Sequence, residues 1–427
     1  MPFYEHEKQR NWSTLCWLPS ACFLKTQNTR GVALALKIVT RLQAPFAVRS
    51  GGHSPNPSFG SIDPGILIDL SSLNDIVLSP DHRVMSVGPG AKWEMIYEEL
   101  EKHELTVAGG RATGVGVGGL ITGGIRVKEF PKKPFNLLTG NQVVLANSTV
   151  VYANETENAD LFRTLKGGGA SFGMDKGTQS YRVWFSPKAY SAIDVVQVMS
   201  AIISVQKAME ENDKIGLVVS VLKDMFVACF LYRGWDVPNA FEAFNSTPTM
   251  AILMPETRGT QQSMSRALSI ASNAKRACGA ASVMMDADLY VELDKVLNRF
   301  VTIDSYSLAF HIQPFGASAV KKGEDRRGNS LGISPVNQAW LGVVGEWKDD
   351  MDDELVITQT HQLISSIEET ARARGLLLEF KFMNDASYTQ SPFVASTLSS
   401  LKVASEKWDP EGVFQRLQNS GFLVSKA

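Results

Sequence analysis

Cysteine is scarce in this chain: 427 residues hold four, Cys16, Cys22, Cys229 and Cys278. Their spacing supplies neither a disulfide scaffold nor a zinc-ligand cluster, so no metal site is expected. Charge of one sign is lacking too, because 42 Lys and Arg stand against 44 Asp and Glu, a formal net charge of −2. That balance excludes the broad basic face with which nucleic-acid binders displace counterions. The basic clusters Arg126, Lys128, Lys132, Lys133 and Lys321, Lys322, Arg326, Arg327 are short, and Glu324 and Asp325 interrupt the second. Both read as solvated loop. No apolar run approaches the roughly 18 residues needed to cross a bilayer, so no membrane partner is expected. The first ten residues, with Glu5, His6, Glu7, Lys8 and Arg10, are unlike a signal peptide. The expected location is cytoplasmic, with secretion left open for a chain whose start is incomplete.

What is present in excess is glycine, in one place. Of 34 glycines, 20 fall between Gly51 and Gly177. Glycine permits positive φ and lets backbone amides converge on a ligand, phosphates above all. Three clusters stand out: Arg49-Ser50-Gly51-Gly52-His53-Ser54, the run from Gly109 to Gly119 with Gly123 and Gly124, and Lys166-Gly167-Gly168-Gly169 through Gly173. The alternative of three tight turns in a β-rich unit is weaker, since the strands between them have few side chains to pack across glycines.

Around the clusters, periodicity predicts a helix over Val32–Leu42, strands at 45–48, 66–70 and 84–87, a helix over Lys92–His103, a hairpin over 142–152 and a short helix over Ala159–Leu165. After Pro187 longer helices alternate with apolar strands. Helices are expected over Ile193–Glu211, Gln261–Ala277, Leu289–Asn298, Glu354–Arg374 and Val394–Trp408. Strands are expected over Gly216–Leu222, Met225–Tyr232, Ser307–Ile312, Ala339–Trp347 and Leu376–Lys381.

Two short motifs mislead. Gly114-Val115-Gly116-Val117-Gly118-Gly119 matches G-x-G-x-x-G, yet Gly123, Gly124 and two prolines follow where a dinucleotide unit needs a helix and then an acidic strand end. Gly169-Ala170-Ser171-Phe172-Gly173 matches a hydrolase elbow, with His311 and His361 downstream as bases. It lacks the buried strand that must precede the serine.

Taken together, the clusters resemble the FAD-linked oxidases of the vanillyl-alcohol-oxidase superfamily, in the berberine-bridge-enzyme-like branch common in fungi and plants. The matching text is residues 45–54, Ser86-Val87-Gly88-Pro89-Gly90, the Gly109–Gly119 run, Asp160-Leu161-Phe162 to Gly173, residues 328–332, Phe382-Met383-Asn384, and Trp408 to Phe414. The resemblance implies an α+β protein in three stretches: a PCMH-type FAD-binding domain over 1–187, a substrate domain of helices on an antiparallel sheet over 188–380, and a tail over 381–427 returning to the FAD domain. It also implies a monomer with a small-molecule substrate and dioxygen as partners.

In that family the histidine at the position of His53 is bonded to the flavin 8-methyl group, which raises flavin electron affinity and prevents loss of the cofactor. The resemblance further implies that Ser50, Gly51, Gly52 and the amides of Gly114, Gly116, Val117, Gly118 and Gly119 cradle the pyrophosphate. Arg49, Ser54, Gly110, Thr113 and Gly123 complete those loops, Val144 lies on the adenine side, and Asn384 approaches the flavin ring.

The sequence departs from the family in three places. Many relatives carry a second flavin bond through a cysteine, but residues 124–141 contain none, so attachment through His53 alone is expected. Residues 174–180 replace an expected apolar strand start. Phe382 stands where relatives often place a tyrosine, which leaves the base that takes a substrate proton unassigned. Tyr388, Glu379 and Tyr306 are the first candidates, with His311 and Asp385 behind them, and Trp347 is a candidate cavity wall. The expected function is FAD-dependent oxidation of an alcohol, phenolic, alkaloid-like or sugar substrate in secondary metabolism. The alternative is a degenerate flavin-fold binding protein.

Overall fold

The computed structural model describes residues 2–124, 140–167, 174–175, 179–269, 273–300, 305–324, 329–418 and 420–427. The architecture is α+β. Near the N-terminus, the strands Cys22–Lys25, Ile66–Asp69 and Phe46–Arg49 form a parallel sheet with Ile66–Asp69 in the middle. The helix Thr29–Arg41 starts at Asn28, whose side chain accepts a hydrogen bond from the Gly31 amide. It buries Ala35, Leu36 and Val39 in a small core with Phe46 and Ile68. Arg49 and Asp69 are register partners at the strand ends. Beyond them the chain enters the first glycine loop.

A second small core gathers around Trp93 and Tyr97 of the helix Trp93–Glu101, with Met85, Val117, Ile121, Leu161 and Phe162. Here glycine is a packing requirement: a Cβ on Gly109 would lie 2.0 Å from the Trp93 ring. The hairpin Gly140–Val144 and Val150–Asn154 forms as the sequence predicts.

The largest element is a nine-stranded antiparallel sheet. Its order is Thr249–Ile252, Arg182–Ser191, Met225–Tyr232, Ile215–Leu222, Tyr306–Phe315, Gln338–Trp347, Lys275–Met284, Leu377–Leu378, and Thr257–Thr260 adds to the other end of Arg182–Ser191. The helices Val195–Glu211, Ala287–Phe300 and Asp353–Ala373 bury its Leu217, Val219, Phe310, Ile312, Leu341 and Val343 in the main core. Because side chains alternate along a strand, His311 and Gln313 lie on the opposite face. Val195–Glu211 belongs to a segment, Ala192–Glu211, long and apolar enough by composition to span a membrane. Its Val198, Met199, Ile202, Val205 and Met209 are buried in this core.

Three predicted elements differ. The helix expected over Gln261–Ala277 ends at Leu268, and a strand, Lys275–Met284, begins seven residues later. Its run of small residues lets a helix press close: Ile364 lies where a Gly279 Cβ would stand, 1.8 Å away. The strand expected over Leu376–Lys381 shrinks to Leu377–Leu378. The boundary placed after Pro187 falls inside the ten-residue strand Arg182–Ser191, where Pro187 pairs with Cys229.

The C-terminal segment crosses back to the N-terminal elements. Lys407 Nζ and Trp408 Nε1, at the end of the helix Ala395–Trp408, donate to Asp160 at 2.6 and 3.2 Å. Val413 and Leu417 join the core under Thr29–Arg41.

Candidate cofactor and substrate site

One continuous cleft of about 1150 Å³ is walled by the first two glycine loops, the hairpin, the C-terminal segment and the face of the large sheet opposite its three long helices. Of the residues expected around a cofactor, Arg49, Ser50, Gly51, Gly52, His53, Ser54, Gly110, Gly116, Gly118, Gly119, Gly123, Val144 and Asn384 line it. Thr113, Gly114 and Val117 stand behind the wall. Thr113 is tied to Ser269 through its amide and hydroxyl at 2.9 and 3.0 Å, and Val117 is buried in the Trp93 core.

The two glycine loops touch backbone to backbone. The Ser50 hydroxyl donates to the Pro89 carbonyl at 2.5 Å, bracing the first loop against the Gly88-Pro89-Gly90 turn. Arg49 lies under this loop and is 2% exposed. It donates to Asp69 at 2.7 Å and to Glu7 at 2.9 Å, and Arg10 closes the cluster on both carboxylates. Burial drives the Asp69 carboxyl up, but Arg49, Ser71 and Arg10 pull it below its ordinary value. Arg49 is therefore committed to an internal ion pair, although one edge of it reaches the cleft.

His53 stacks on Trp12 with ring centroids 4.3 Å apart and planes 12° from parallel. The Arg276 guanidinium also lies over the Trp12 ring, 3.9 Å from its centroid. Burial, assisted by the Arg276 and Lys92 charges, brings the His53 pKa down to about 4, so the imidazole is neutral at physiological pH.

Across the cleft the sheet presents a polar group. Arg111 Nη2 donates to Gln313 Oε1 at 2.6 Å, and Gln313 Nε2 donates to Asp385 Oδ2 at 3.0 Å. Gly342 makes room for that carboxylate, since a Cβ there would lie 3.0 Å from Oδ2. His311 Nδ1 is 2.9 Å from Ser220 Oγ on the neighbouring strand. Burial and the Arg111 charge lower the His311 pKa to about 4. Asn384, next to Asp385, donates to the carbonyls of Leu120 and Gly124 at 3.2 and 3.0 Å and so fixes the tail against the second glycine loop.

Tyr388, Glu379 and Tyr306 do not line the cleft. Glu379 is exposed and accepts from the Ala395 amide, capping a helix. Tyr306 is 7% exposed in the main core, with its hydroxyl on the Phe300 carbonyl. Tyr388 is 52% exposed and packs edge-on against His361. Trp347, too, is core and donates to Asp353 at 2.7 Å. Phe382 does line the cleft, stacked on Trp340. The sequence reading missed Trp12, Arg111 and Gln313; the alternation around Gln313 was a usable signal, but Trp12 sits in a segment without periodicity. The altered segment 125–140 and the third glycine cluster from Gly168 to Gly173 fall outside the described residues, apart from Gly140.

Residues 20–154 match the family described as FAD binding domain. Over 97% of its length the chain is 30% identical to an FAD-dependent monooxygenase of Arthrobotrys oligospora, covering 84% of that protein. Over its whole length it is 30% identical to the FAD-dependent monooxygenase yanF of Aspergillus niger, covering 76% of it. Among solved structures, 6-hydroxy-D-nicotine oxidase of Arthrobacter nicotinovorans superposes with a TM-score of 0.81 at 17% identity, over 97% of this chain and 95% of that one. The glucooligosaccharide oxidase of Acremonium strictum, described with a 6-S-cysteinyl, 8α-N1-histidyl FAD, gives 0.78 at 16% identity, over 95% and 92% of the two chains. With the glycine-lined cleft, these matches assign the chain to the family of the fungal FAD-dependent monooxygenases, and make it an FAD-linked oxidoreductase.

Proposed function

We propose that the protein oxidises a small organic molecule held between His53 and the Arg111–Gln313–Asp385 group, with FAD attached through His53. The carrying observation is that one uninterrupted cleft joins the glycine loops to that polar group. The wall fits the cofactor. Its volume exceeds the 300–1,000 Å³ usual for small-ligand pockets, leaving room for a dinucleotide and a substrate. At Gly119 nothing lies within 4 Å of a would-be Cβ, so that position is open to a phosphate. Amides of Ser50, Gly51, Gly52, Gly116, Gly118 and Gly119 would hold the pyrophosphate. Bound there, FAD supplies a hydride acceptor at N5 and a route for electrons to dioxygen.

The chain's own part is positioning and proton transfer. Arg111 donates to the oxygen end of the Gln313 amide, which turns the nitrogen end toward Asp385. Asp385 is then the proton acceptor for a substrate O–H or N–H, a role for which a carboxylate within hydrogen-bond reach suffices. His311 is tied to Ser220 and, with its pKa lowered to about 4, is a weak proton acceptor. Phe382 and the apolar strand residues Val218 and Val344 complete a wall suited to a ring or aliphatic body. Secondary-metabolite alcohols, phenolics and alkaloid-like molecules match that mix better than a sugar.

The test is a panel of such compounds added anaerobically to purified protein, with bleaching of the visible flavin band as readout. Air should then restore the band and give one hydrogen peroxide per substrate. Oxygen from dioxygen appearing in the product would overturn the oxidase reading in favour of monooxygenation, and a colourless protein that takes up no FAD would favour the binding-protein alternative.

A further inference from the structure

We propose that Trp12, held in place by Arg276, is a positioning residue that presents the His53 ring for bonding to the cofactor. The inference rests on the reading of His53 as the attachment point.

An imidazole on a glycine-flanked loop turns freely about two side-chain bonds, and bond formation requires the nitrogen lone pair, which lies in the ring plane, to point at the receiving carbon. Orientation of that kind is where a large share of a bond-forming barrier is removed. Here the ring plane is set by Trp12, 12° from parallel at 4.3 Å.

Trp12 in turn is fixed from two sides. Its amide donates to the Gly52 carbonyl at 2.9 Å, inside the His53 loop. Its own carbonyl accepts from Arg276 Nη1 at 2.8 Å, and its ring lies under the same guanidinium at 3.9 Å. A cation over an indole face attracts it most strongly when desolvated, and Arg276 is 1% exposed. Arg276 is anchored by Glu346, its register partner on the adjacent strand, at 2.8 Å. A chain of contacts thus runs from the large sheet through Arg276 and Trp12 to His53. The neutral state of His53 supports the same reading, because a protonated ring has no lone pair to offer.

The chemistry balances. His53 exchanges its ring N–H for an N–C bond to the cofactor's 8-methyl carbon, and that methyl gives up one C–H. The two hydrogens and two electrons removed pass to dioxygen, which becomes hydrogen peroxide.

The experiment compares wild type with Trp12→Phe and Trp12→Leu, each refolded or reconstituted with FAD. The readout is the rate at which flavin becomes inseparable from the chain, followed by fluorescence of the denatured protein band, alongside total flavin bound before denaturation. Phe keeps a flat ring and should preserve attachment. Leu keeps bulk without a plane and should slow attachment by about tenfold or more while still binding flavin. Arg276→Gln should fall between them. Equal rates in the Phe and Leu variants would overturn the proposal, as would loss of bound flavin and attachment in parallel. Wild-type protein that binds flavin yet never attaches it would overturn the His53 reading and this proposal together, an outcome separate from either of the others.

Discussion

Gly51 and Gly116 meet backbone to backbone. A Cβ on Gly51 would lie 2.4 Å from the Gly116 nitrogen and Cα, and a Cβ on Gly116 would lie 2.4 Å from the Gly51 nitrogen. Neither contact involves a side chain that can swing away, so any substitution must part the two loops that wall the cleft. Gly51→Ala and Gly116→Ala should each cost about 1–3 kcal/mol or more from overpacking and lose flavin at the same time. Thermal melts and the ratio of visible to ultraviolet absorbance would show both effects. Unchanged melting with full flavin would contradict the contact.

Gly119 provides the opposite case. Its Cβ would meet nothing within 4 Å, so the fold alone does not explain a glycine there. Gly119→Ala should melt like wild type but hold FAD more weakly, because the added methyl enters space assigned to the cofactor. Flavin retained through dilution and dialysis in a His53→Ala, Gly119→Ala double variant, equal to that in His53→Ala alone, would remove Gly119 from the phosphate site.

These two glycines show what could be read from sequence. Their clustering announced loops that approach something closely, and the family resemblance said what. Sequence could not distinguish a glycine needed by its neighbour from one needed by a ligand, because that difference lies in which backbone crosses which. The same limit applies to the proposed base. Tyr388, Glu379 and Tyr306 have suitable chemistry, but their exposure or burial is decided by tertiary packing. Asp385 reaches the cleft because Asn384 ties the tail to Leu120 and Gly124, and Gly342 leaves space over the sheet. The helix expected through Ala277 failed for a related reason. Small residues that permit a helix to press on a strand have the composition of a helix themselves.

Asp385→Asn keeps the shape and the Gln313 contact but removes proton acceptance. The rate of flavin bleaching by substrate should fall about 10²–10⁴-fold with flavin content unchanged. Glu379→Gln, Tyr306→Phe and Tyr388→Phe should bleach at close to the wild-type rate. Stopped-flow measurements under anaerobic conditions separate the two groups, and a slow Tyr388→Phe variant with a normal Asp385→Asn variant would reverse the assignment.

The Arg49 cluster gives a stability prediction. Asp69→Asn leaves a guanidinium that is 2% exposed with Glu7 as its remaining carboxylate partner. Breaking a buried pair from one side costs about 3–5 kcal/mol, so urea unfolding of the variant should shift to clearly lower concentration. In the wild type the Asp69 pKa is lowered, which means its contribution is complete above the unfolded value of 3.8 and is lost as pH falls through the folded one. The difference between wild type and variant should therefore narrow below pH 3.8.

His311 titrates in a different window. Its pKa is 6.5 in an ordinary environment and about 4 in the folded protein, lowered by burial first and by the Arg111 charge second. Between those two values the unfolded chain takes up a proton that the folded chain refuses. Stability therefore rises with pH through this range: it is complete above 6.5, falls as pH drops, and its loss is complete below 4. At ~1.4 kcal/mol per pH decade the swing is on the order of 3 kcal/mol. His311→Gln keeps a partner for Ser220 without the titration, so the urea midpoint of the variant should depend less on pH between 7.5 and 4.5 than that of wild type. Arg111→Gln should act in the same direction but more weakly, because it removes the charge and leaves the burial. Parallel pH profiles for wild type and His311→Gln would mean that the ring titrates alike in the folded and unfolded chains, contradicting the lowering that burial imposes.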